Sequence, residues 1–357
     1  MRILWDFRLF SLGYRERGVG AYTLAVARAF SDMETSSEIF ILGDKNSVPE
    51  LIGLKKVRWI QYQCRDWKLD LIKIPLIIKR YKIDIFHYWI ALGPLRQIGL
   101  GIYHPCTTVA TIYDLGAENW DVPFLKSVKK SRYWQIQKKL IRSIDKIICI
   151  SEATSGEVKK MFPSLSQKME VIYPVFPFNK ERNEAERQKY FITLGGSVHK
   201  NTARVEKAFE LFRRKVPDYQ LKILGRVDRT EEGLEQVPPN VTFEDSMGKY
   251  KEHLESCSGL IFCSLYEGLG LPPIEGMNCG CPLLLSDIEP LHETCHDAAV
   301  FVNPLDVEEI AEGMMKLASN NGLWSLRSFQ GASAYETKTR NAGARLFEIY
   351  SKSRVKR

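Results

Sequence analysis

The sequence predicts an α/β protein of two halves, each a parallel β-sheet with crossover helices. Three observations carry that prediction. Short β-branched apolar runs alternate with amphipathic stretches along the chain, which is the pattern of strands and crossovers in a parallel sheet. The alternation lapses between residues 174 and 188 into Pro, Phe, Asn and mixed charges, a linker-like composition, and then restarts. At 357 residues the chain is too long for one ordinary core and suits two.

In the first half, residues 2–5 read as a strand, Gly18-Val19-Gly20 as a turn and residues 21–30 as a helix. Further strands are expected at 38–42, 83–87, 108–112 and 146–150, the last followed by Ser151 as the N-cap of a helix over 156–161. In the second half, strands are expected at 190–194, 220–224, 259–263 and 282–285, with a helix at 202–215. Residues 334–351 carry apolar side chains at helical spacing. Open parallel sheets bind ligands at the carboxyl ends of their strands, so this organisation points to a small-molecule enzyme.

Composition narrows the class. Apolar residues make up 45% and charged residues 26%, which excludes a disordered or fibrous chain. No stretch of about 18 apolar residues runs without a charge, and Met1-Arg2-Ile3 enters a strand without the regions of a signal peptide. The expectation is a protein neither secreted nor membrane-spanning. Eight scattered cysteines, with Cys279-Gly280-Cys281 too close for the common zinc or redox spacing, are expected to be reduced thiols in the cytoplasm. Residues 1–175 hold 27 Lys and Arg against 17 Asp and Glu, so the net charge of +8 belongs to the first half.

The most informative run is 264–286: a strand end, a Gly-rich turn, then a short helix beginning near Pro272 or Pro273. Free amides of Gly268, Leu269, Gly270 and Leu271, with the helix dipole behind them, suit a pyrophosphate. Glu267 and Glu275 stand on either side of the turn, where carboxylates accept hydrogen bonds from hydroxyl-rich groups. The plainer alternative is a strand, turn and helix with two solvated glutamates. No His, Cys or Asp cluster has metal-ligand spacing and no Asp-x-Asp triplet occurs, so neither a metal nor another cofactor is expected. Residues 124–146 are rich in Lys and Arg, opposed by Asp145; as a helix they form either a surface for an anionic membrane leaflet or a merely solvated face. Residues 66–82 extend the same pattern. Nothing resembles a nucleic-acid-binding module.

The run 264–286 closely resembles the signature of glycosyltransferase family 4, in which two glutamates frame a Phe-Gly-Leu-Pro-like turn and an Ala-Cys-Gly-Cys-Pro-like tail. Leu269 replaces the common Phe and Gly276 the common Ala. The resemblance implies that Glu267 contacts the donor sugar, that the amides of Gly268 to Leu271 hold the diphosphate, and that Glu275 binds the ribose. Other landmarks follow in family order. Gly18-Val19-Gly20-Ala21-Tyr22-Thr23 resembles the N-terminal Gly-Ile-Gly-Arg-Tyr-Thr segment, with Ala21 for Arg. Gly195-Gly196 leading to His199-Lys200-Asn201 resembles the Gly-rich strand end before Arg-Lys-Asn. It implies close approach of the glycines to the phosphate and stabilisation of the leaving diphosphate by Lys200, helped by Arg226 where His199 replaces the family Arg. Thr111-Ile112-Tyr113-Asp114-Leu115 is similar to Thr-Ile-His-Asp-Leu, with Tyr113 in place of a His that faces the sugar. Tyrosine still donates a hydrogen bond to a sugar hydroxyl but shuttles protons poorly at neutral pH. His87 closes another strand, in either a structural or a catalytic role.

This resemblance implies a GT-B fold: Rossmann-like domains at 1–176 for the acceptor and 177–335 for the nucleotide sugar, with 336–357 a helix returning to the first. It implies a retaining, metal-independent transfer to a glycan or lipid-linked acceptor, with GDP-mannose favoured as donor by the wording shared with surface-polysaccharide mannosyltransferases. Asp114, Tyr113, Lys200 and Glu267 are the expected catalytic set. Two other readings remain, a sugar-nucleotide epimerase of the same fold and a catalytically impaired scaffold, the latter resting on Ala21, Tyr113 and His199.

Overall fold

The alternating apolar runs become the strands of two parallel sheets in the structure, a computed structural model describing residues 1–15, 17–48, 57–62, 67–93, 99–119, 123–175, 186–225, 240–244 and 248–353. The chain divides into two units, Met1–Val175 with Thr339–Arg357, and Phe176–Lys338. Residues 176–185, the core of the expected linker, and Arg226 lie outside the described residues.

The first unit runs β1 (Arg2–Asp6), α1 (Gly18–Ser31), β2 (Glu38–Gly43), β3 (Val57–Gln61), α2 (Trp67–Tyr81), β4 (Ile85–Tyr88), β5 (Thr107–Ile112), α3 (Gly116–Asn119), α4 (Pro123–Lys130), α5 (Arg132–Leu140), β6 (Lys146–Cys149), α6 (Glu152–Met161) and β7 (Met169–Val171). Its strands lie in the order β3-β2-β1-β4-β5-β6-β7, all parallel. Ile3, Leu4, Trp5, Ile85, Phe86, Val109 and Ala110 are buried, as a sheet covered on both faces requires. Ser151 caps α6, its hydroxyl accepting from the Thr154 amide at 3.0 Å.

Two local expectations need correction. The Gly18-Val19-Gly20 turn is already the first turn of α1. Gly20 is required by a crossing backbone, because a Cβ there would lie 2.2 Å from the Tyr14 carbonyl oxygen. The basic stretch 124–146 is not one helix, because the Ser131 hydroxyl donates to the Val128 carbonyl and caps α5 by accepting from the Trp134 amide. Nor is Asp145 its counter-ion: that carboxylate binds the Thr108 amide and hydroxyl, while Glu118 pairs with Lys129 and Lys138.

The second unit runs β8 (Gln188–Leu194), α7 (Thr202–Arg213), β9 (Gln220–Leu224), β10 (Val241–Glu244), α8 (Tyr250–Ser256), β11 (Cys257–Phe262), α9 (Leu271–Asn278), β12 (Leu283–Ser286), α10 (Glu289–Cys295), β13 (Val300–Val302), α11 (Val307–Ser319) and α12 (Asn321–Thr339). Its parallel sheet has the order β10-β9-β8-β11-β12-β13. Phe191, Phe209, Ile223, Ile261, Leu284 and Met314 are among the residues that fill its core, each such side chain contributing roughly 1.5–3 kcal/mol by leaving water.

The single C-terminal helix expected over 334–351 is broken after Thr339, and α13 (Ala342–Ser353) follows. This last helix belongs to the first unit, where Gly343 lies directly on α1: a Cβ on it would sit 2.2 Å from the Ala29 carbonyl oxygen. The Tyr350 hydroxyl accepts from the Trp5 indole at 3.0 Å and contacts His87 Nδ1 at 2.6 Å, while His87 Nε2 meets Thr111 Oγ1 at 2.8 Å. Burial holds the His87 pKa down at about 3. His87 is therefore a neutral core residue joining β4, β5 and α13.

Candidate active site

The order of the second sheet reverses between β8 and β11, and the crevice at the carboxyl ends of such strands is where doubly wound sheets bind ligands. After β8 the Gly195 amide donates to the Leu224 carbonyl at 2.8 Å, and a tight turn over Val198–Lys200 ends on Asn201 at φ +63°. The Asn201 side-chain amide holds the carbonyls of Cys263 and Pro304 at 3.0 and 2.7 Å. From the other side, the Leu265 amide donates to the His199 carbonyl at 2.7 Å. These bonds fix the Lys200 turn against the segment that follows β11. Lys200 Nζ consequently reaches Glu267 Oε1 at 2.7 Å, with side chains only 20% and 13% exposed, and lies 4.7 Å from the Phe262 ring centre.

The helix beside this pair opens unusually. Gly270 is its N-cap at φ +86°, and a Cβ there would come within 2.3 Å of Leu291 Cδ2. No side chain caps α9, and prolines occupy its first turn. Pro272 and Pro273 carry no N–H, so what the start of α9 directs at the loop before it is the positive end of the helix dipole, while Leu269 itself is buried. Arg187, which the sequence reading did not single out, secures the far end. Its guanidinium donates to the carbonyls of Cys279 and Gly280 at 2.9 and 2.7 Å, and to those of Leu254 and Cys257 at 2.9 and 3.0 Å. A cation there complements the negative end of the helix dipole. No sequence motif marks Arg187, because its partners are backbone carbonyls.

Glu275, one turn into α9, is half-buried, and desolvation raises its pKa to about 7, against a smaller opposing effect of the Tyr250 hydroxyl. The Tyr250 phenol is itself pushed well up by burial and then by the Glu275 charge. The carboxyl is therefore poised between accepting and donating at neutral pH. Burial, and next the Lys200 charge, lower the His199 pKa to about 4. Neutral His199, with Nδ1 at 2.7 Å from Ser197 Oγ, does not replace the positive charge of an arginine.

The expected residues of the first unit are placed differently from one another. Thr23 Oγ1 donates to the Val19 carbonyl at 2.8 Å and so accepts from the Tyr113 hydroxyl, 2.6 Å away. Tyr113 is 6% exposed, lies edge-on to Tyr22, and has its pKa raised by burial. The hydroxyl expected to donate to a sugar thus donates inside the protein, fastening β5 to α1. Asp114, the next residue, is exposed, and its Oδ1 accepts from the Gly116 amide at 2.7 Å. Gly18 is exposed at the start of α1, whereas Gly20 is buried. Among the described residues no group of three or more His, Cys, Asp or Glu is placed to hold a metal ion, and no helix is long and apolar enough to cross a membrane.

Two doubly wound parallel-sheet units, one with a partly buried Lys–Glu pair in the segments before α7 and α9, have the architecture of the GT-B fold. Residues 17–177 match Glycosyltransferase Family 4 and residues 176–337 match Glycosyl transferases group 1. The chain belongs to glycosyltransferase family 4. It is 28% identical over 239 residues, 62% of its length, to the O-antigen chain mannosyltransferase RfbU of Salmonella typhimurium, and the match covers 66% of that relative. It is 38% identical over 68 residues to the serotype-specific mannosyltransferase WbdA of Escherichia coli, covering 19% of this chain and 8% of that one. The chain thus spans slightly under two thirds of the first relative and a small part of the second. Among solved structures, Anabaena HepE in complex with UDP-glucose superposes over 99% of this chain and 100% of its own, with TM-score 0.74 and 14% identity, a likeness of fold.

Proposed function

We propose that the protein is a retaining glycosyltransferase that moves mannose from GDP-mannose to a glycan or lipid-linked saccharide in surface-polysaccharide synthesis, needing no metal or other cofactor. The observation that carries this reading is the 2.7 Å Lys200–Glu267 pair at the sheet reversal beside the start of α9. Bound donor would place its diphosphate on the amides of Gly268 to Leu271, close to Gly195 and Gly196, and its ribose on Glu275. Glu267 would bind the sugar. As the bond from the anomeric carbon to the phosphate oxygen breaks, Lys200 and the helix dipole stabilise the negative charge that develops on the leaving diphosphate. The acceptor oxygen bonds to the same face of the sugar, and its proton passes to the departing phosphate. Such a path needs no strong side-chain base, consistent with a Tyr113 hydroxyl committed to Thr23. Asp114, exposed at the end of β5, is assigned to the acceptor. The mannosyltransferase names of the relatives support the choice of donor. A cytoplasmic site of action follows from a nucleotide-sugar donor. The lysines of α4 and α5, exposed at Lys126, Lys130 and Lys139, are assigned to an anionic membrane surface.

A second reading, a donor-binding protein without turnover, draws on Ala21, the internal bond of Tyr113 and the neutral His199. Incubation with GDP-, UDP- and dTDP-sugars in EDTA separates the two. GDP-mannose is expected to raise the melting temperature most and to release mannose slowly with its anomeric configuration retained, read by proton NMR. Stabilisation without release favours the second reading. If no sugar nucleotide stabilises the protein, both fail.

A further inference from the structure

Arg187 ties together two stretches of chain, the end of α8 with the start of β11 and the turn 279–281 that closes α9, and each stretch carries a cysteine. Cys257 opens β11 and Cys281 precedes β12, its parallel neighbour, so the two backbones run side by side about 4.8 Å apart. Backbones at that spacing can be bridged by a disulfide. The two sulfurs already lie 3.4 Å apart, as free and fully buried thiols, and need a closing movement of roughly 1.4 Å to reach bonding distance. Burial opposes ionisation of Cys281, but the Cys257 thiol donating to it and the Arg187 charge outweigh that and lower its pKa, whereas burial raises that of Cys257. Burial pushes Cys263, Cys279 and Cys295 up to about 12. Cys281 is thus the nucleophile of the group and Cys257 the thiol placed to resolve it.

The turn bearing Cys281 is bonded to the helix that carries Glu275. The amides of Cys279 and Cys281 both donate to the carbonyl of Gly276, at 3.1 and 2.9 Å, and Gly276 is the residue after Glu275. The helix has little room to absorb a displacement there, because a Cβ on Gly276 would lie 2.8 Å from Leu283 Cδ2. We infer that Cys257 and Cys281 are a modification site for a hydroperoxide, and that the disulfide formed draws the 279–281 turn toward β11, moves Glu275 and weakens donor binding. The effect on the donor rests on the reading of Glu275 given above; the disulfide does not. The Cys281 thiolate attacks one peroxide oxygen, the O–O bond breaks, and the departing hydroxide takes up the proton released by Cys281 to leave as water. Cys257 then attacks the sulfenic sulfur: the S–S bond forms, the S–O bond breaks, and the Cys257 proton leaves with the oxygen as a second water. Two thiols are oxidised and one peroxide is reduced. Because both sulfurs are buried, local opening of the turn at half-buried Cys279 admits the oxidant.

Treatment of the full, reduced chain with hydrogen peroxide, then alkylation with N-ethylmaleimide and mass spectrometry of peptic peptides, tests it. Pepsin is needed because residues 252–315 contain no Lys or Arg, which would leave five cysteines on one tryptic peptide. The expected product is a peptide holding Cys257 joined to one holding Cys281, two hydrogens lighter than the separate thiols and parted by dithiothreitol. In Cys257→Ala the reaction should stop at the Cys281 sulfenic acid, which dimedone traps. Retention of both thiols in the wild type, or a bond from Cys279 to either one, overturns the proposal. The oxidised wild type should also bind GDP-mannose about tenfold more weakly in calorimetry and recover after dithiothreitol. Equal affinity of the oxidised and reduced forms overturns the coupling to Glu275. If the reduced protein binds no nucleoside-diphosphate sugar, the donor reading fails, and the peptide map still decides the disulfide.

Discussion

Lys200→Ala is expected to lower the rate of donor cleavage by about 10²–10³-fold, the usual consequence of removing one preorganised group that stabilises developing charge. Lys200 is held for this task by the Val198–Lys200 turn, by the Asn201 side chain and by its 2.7 Å contact with Glu267. Removing it also leaves Glu267 largely enclosed and unpaired. The loss in rate should therefore be read on protein whose melting transition is intact. Lys200→Arg, which keeps the charge, should recover part of the rate. The measurement is single-turnover release of the nucleoside diphosphate; a loss below about fivefold would place the leaving-group cation elsewhere.

Glu275→Gln is expected to act in the opposite sense on stability. Burial raises the folded-state pKa to about 7, while an unfolded glutamate titrates near ~4.3. A group with a raised folded pKa contributes stability that is complete below the unfolded value and is lost as pH rises through the folded value. The wild type should therefore pay an increasing penalty for the buried charge between about pH 4.5 and 7, reaching about 3 kcal/mol by pH 8 or 9. Glutamine carries no such penalty. Denaturant unfolding at pH 5, 7 and 9 should show the variant gaining on the wild type as pH rises, with little difference at the acidic end. A gap independent of pH would mean that Glu275 is hydrated when ionised. A destabilising carboxylate at this position is intelligible as a ligand contact, because the hydroxyls of a bound donor would add hydrogen bonds to the one from Tyr250.

The sequence was most legible where signals are contiguous. The central strands of both sheets are apolar runs buried on both faces, and β1, β2, β4, β5, β6, β8, β9, β11 and β12 are anticipated with small shifts at their ends. The strands not anticipated, β3, β7, β10 and β13, are the four sheet edges. Strings such as Met169–Val171 and Val241–Glu244 are short and half-covered, so they carry neither a long apolar run nor a clear alternation. The donor turn was readable because its glycines, prolines and glutamates lie within one segment of chain. Distant pairings were not readable. Tyr113 meets Thr23 across 90 residues, and nothing in Tyr113-Asp114 says which of the two side chains turns inward. Arg187 meets carbonyls as far off as Gly280, and carbonyls carry no residue identity. The tuning of Glu275 depends on its depth and on Tyr250, neither of which is written in the Glu267–Glu275 spacing.

That the second unit holds a nucleoside-diphosphate sugar on Glu267, Glu275 and the start of α9 is tested most directly by calorimetric titration of GDP-mannose into the wild type and into Glu275→Ala at pH 8. The predicted result is one equivalent bound by the wild type and affinity at least tenfold weaker in the variant, from loss of the ribose contact. Equal affinity in the two proteins, or no binding of any nucleoside-diphosphate sugar by the wild type, would contradict it.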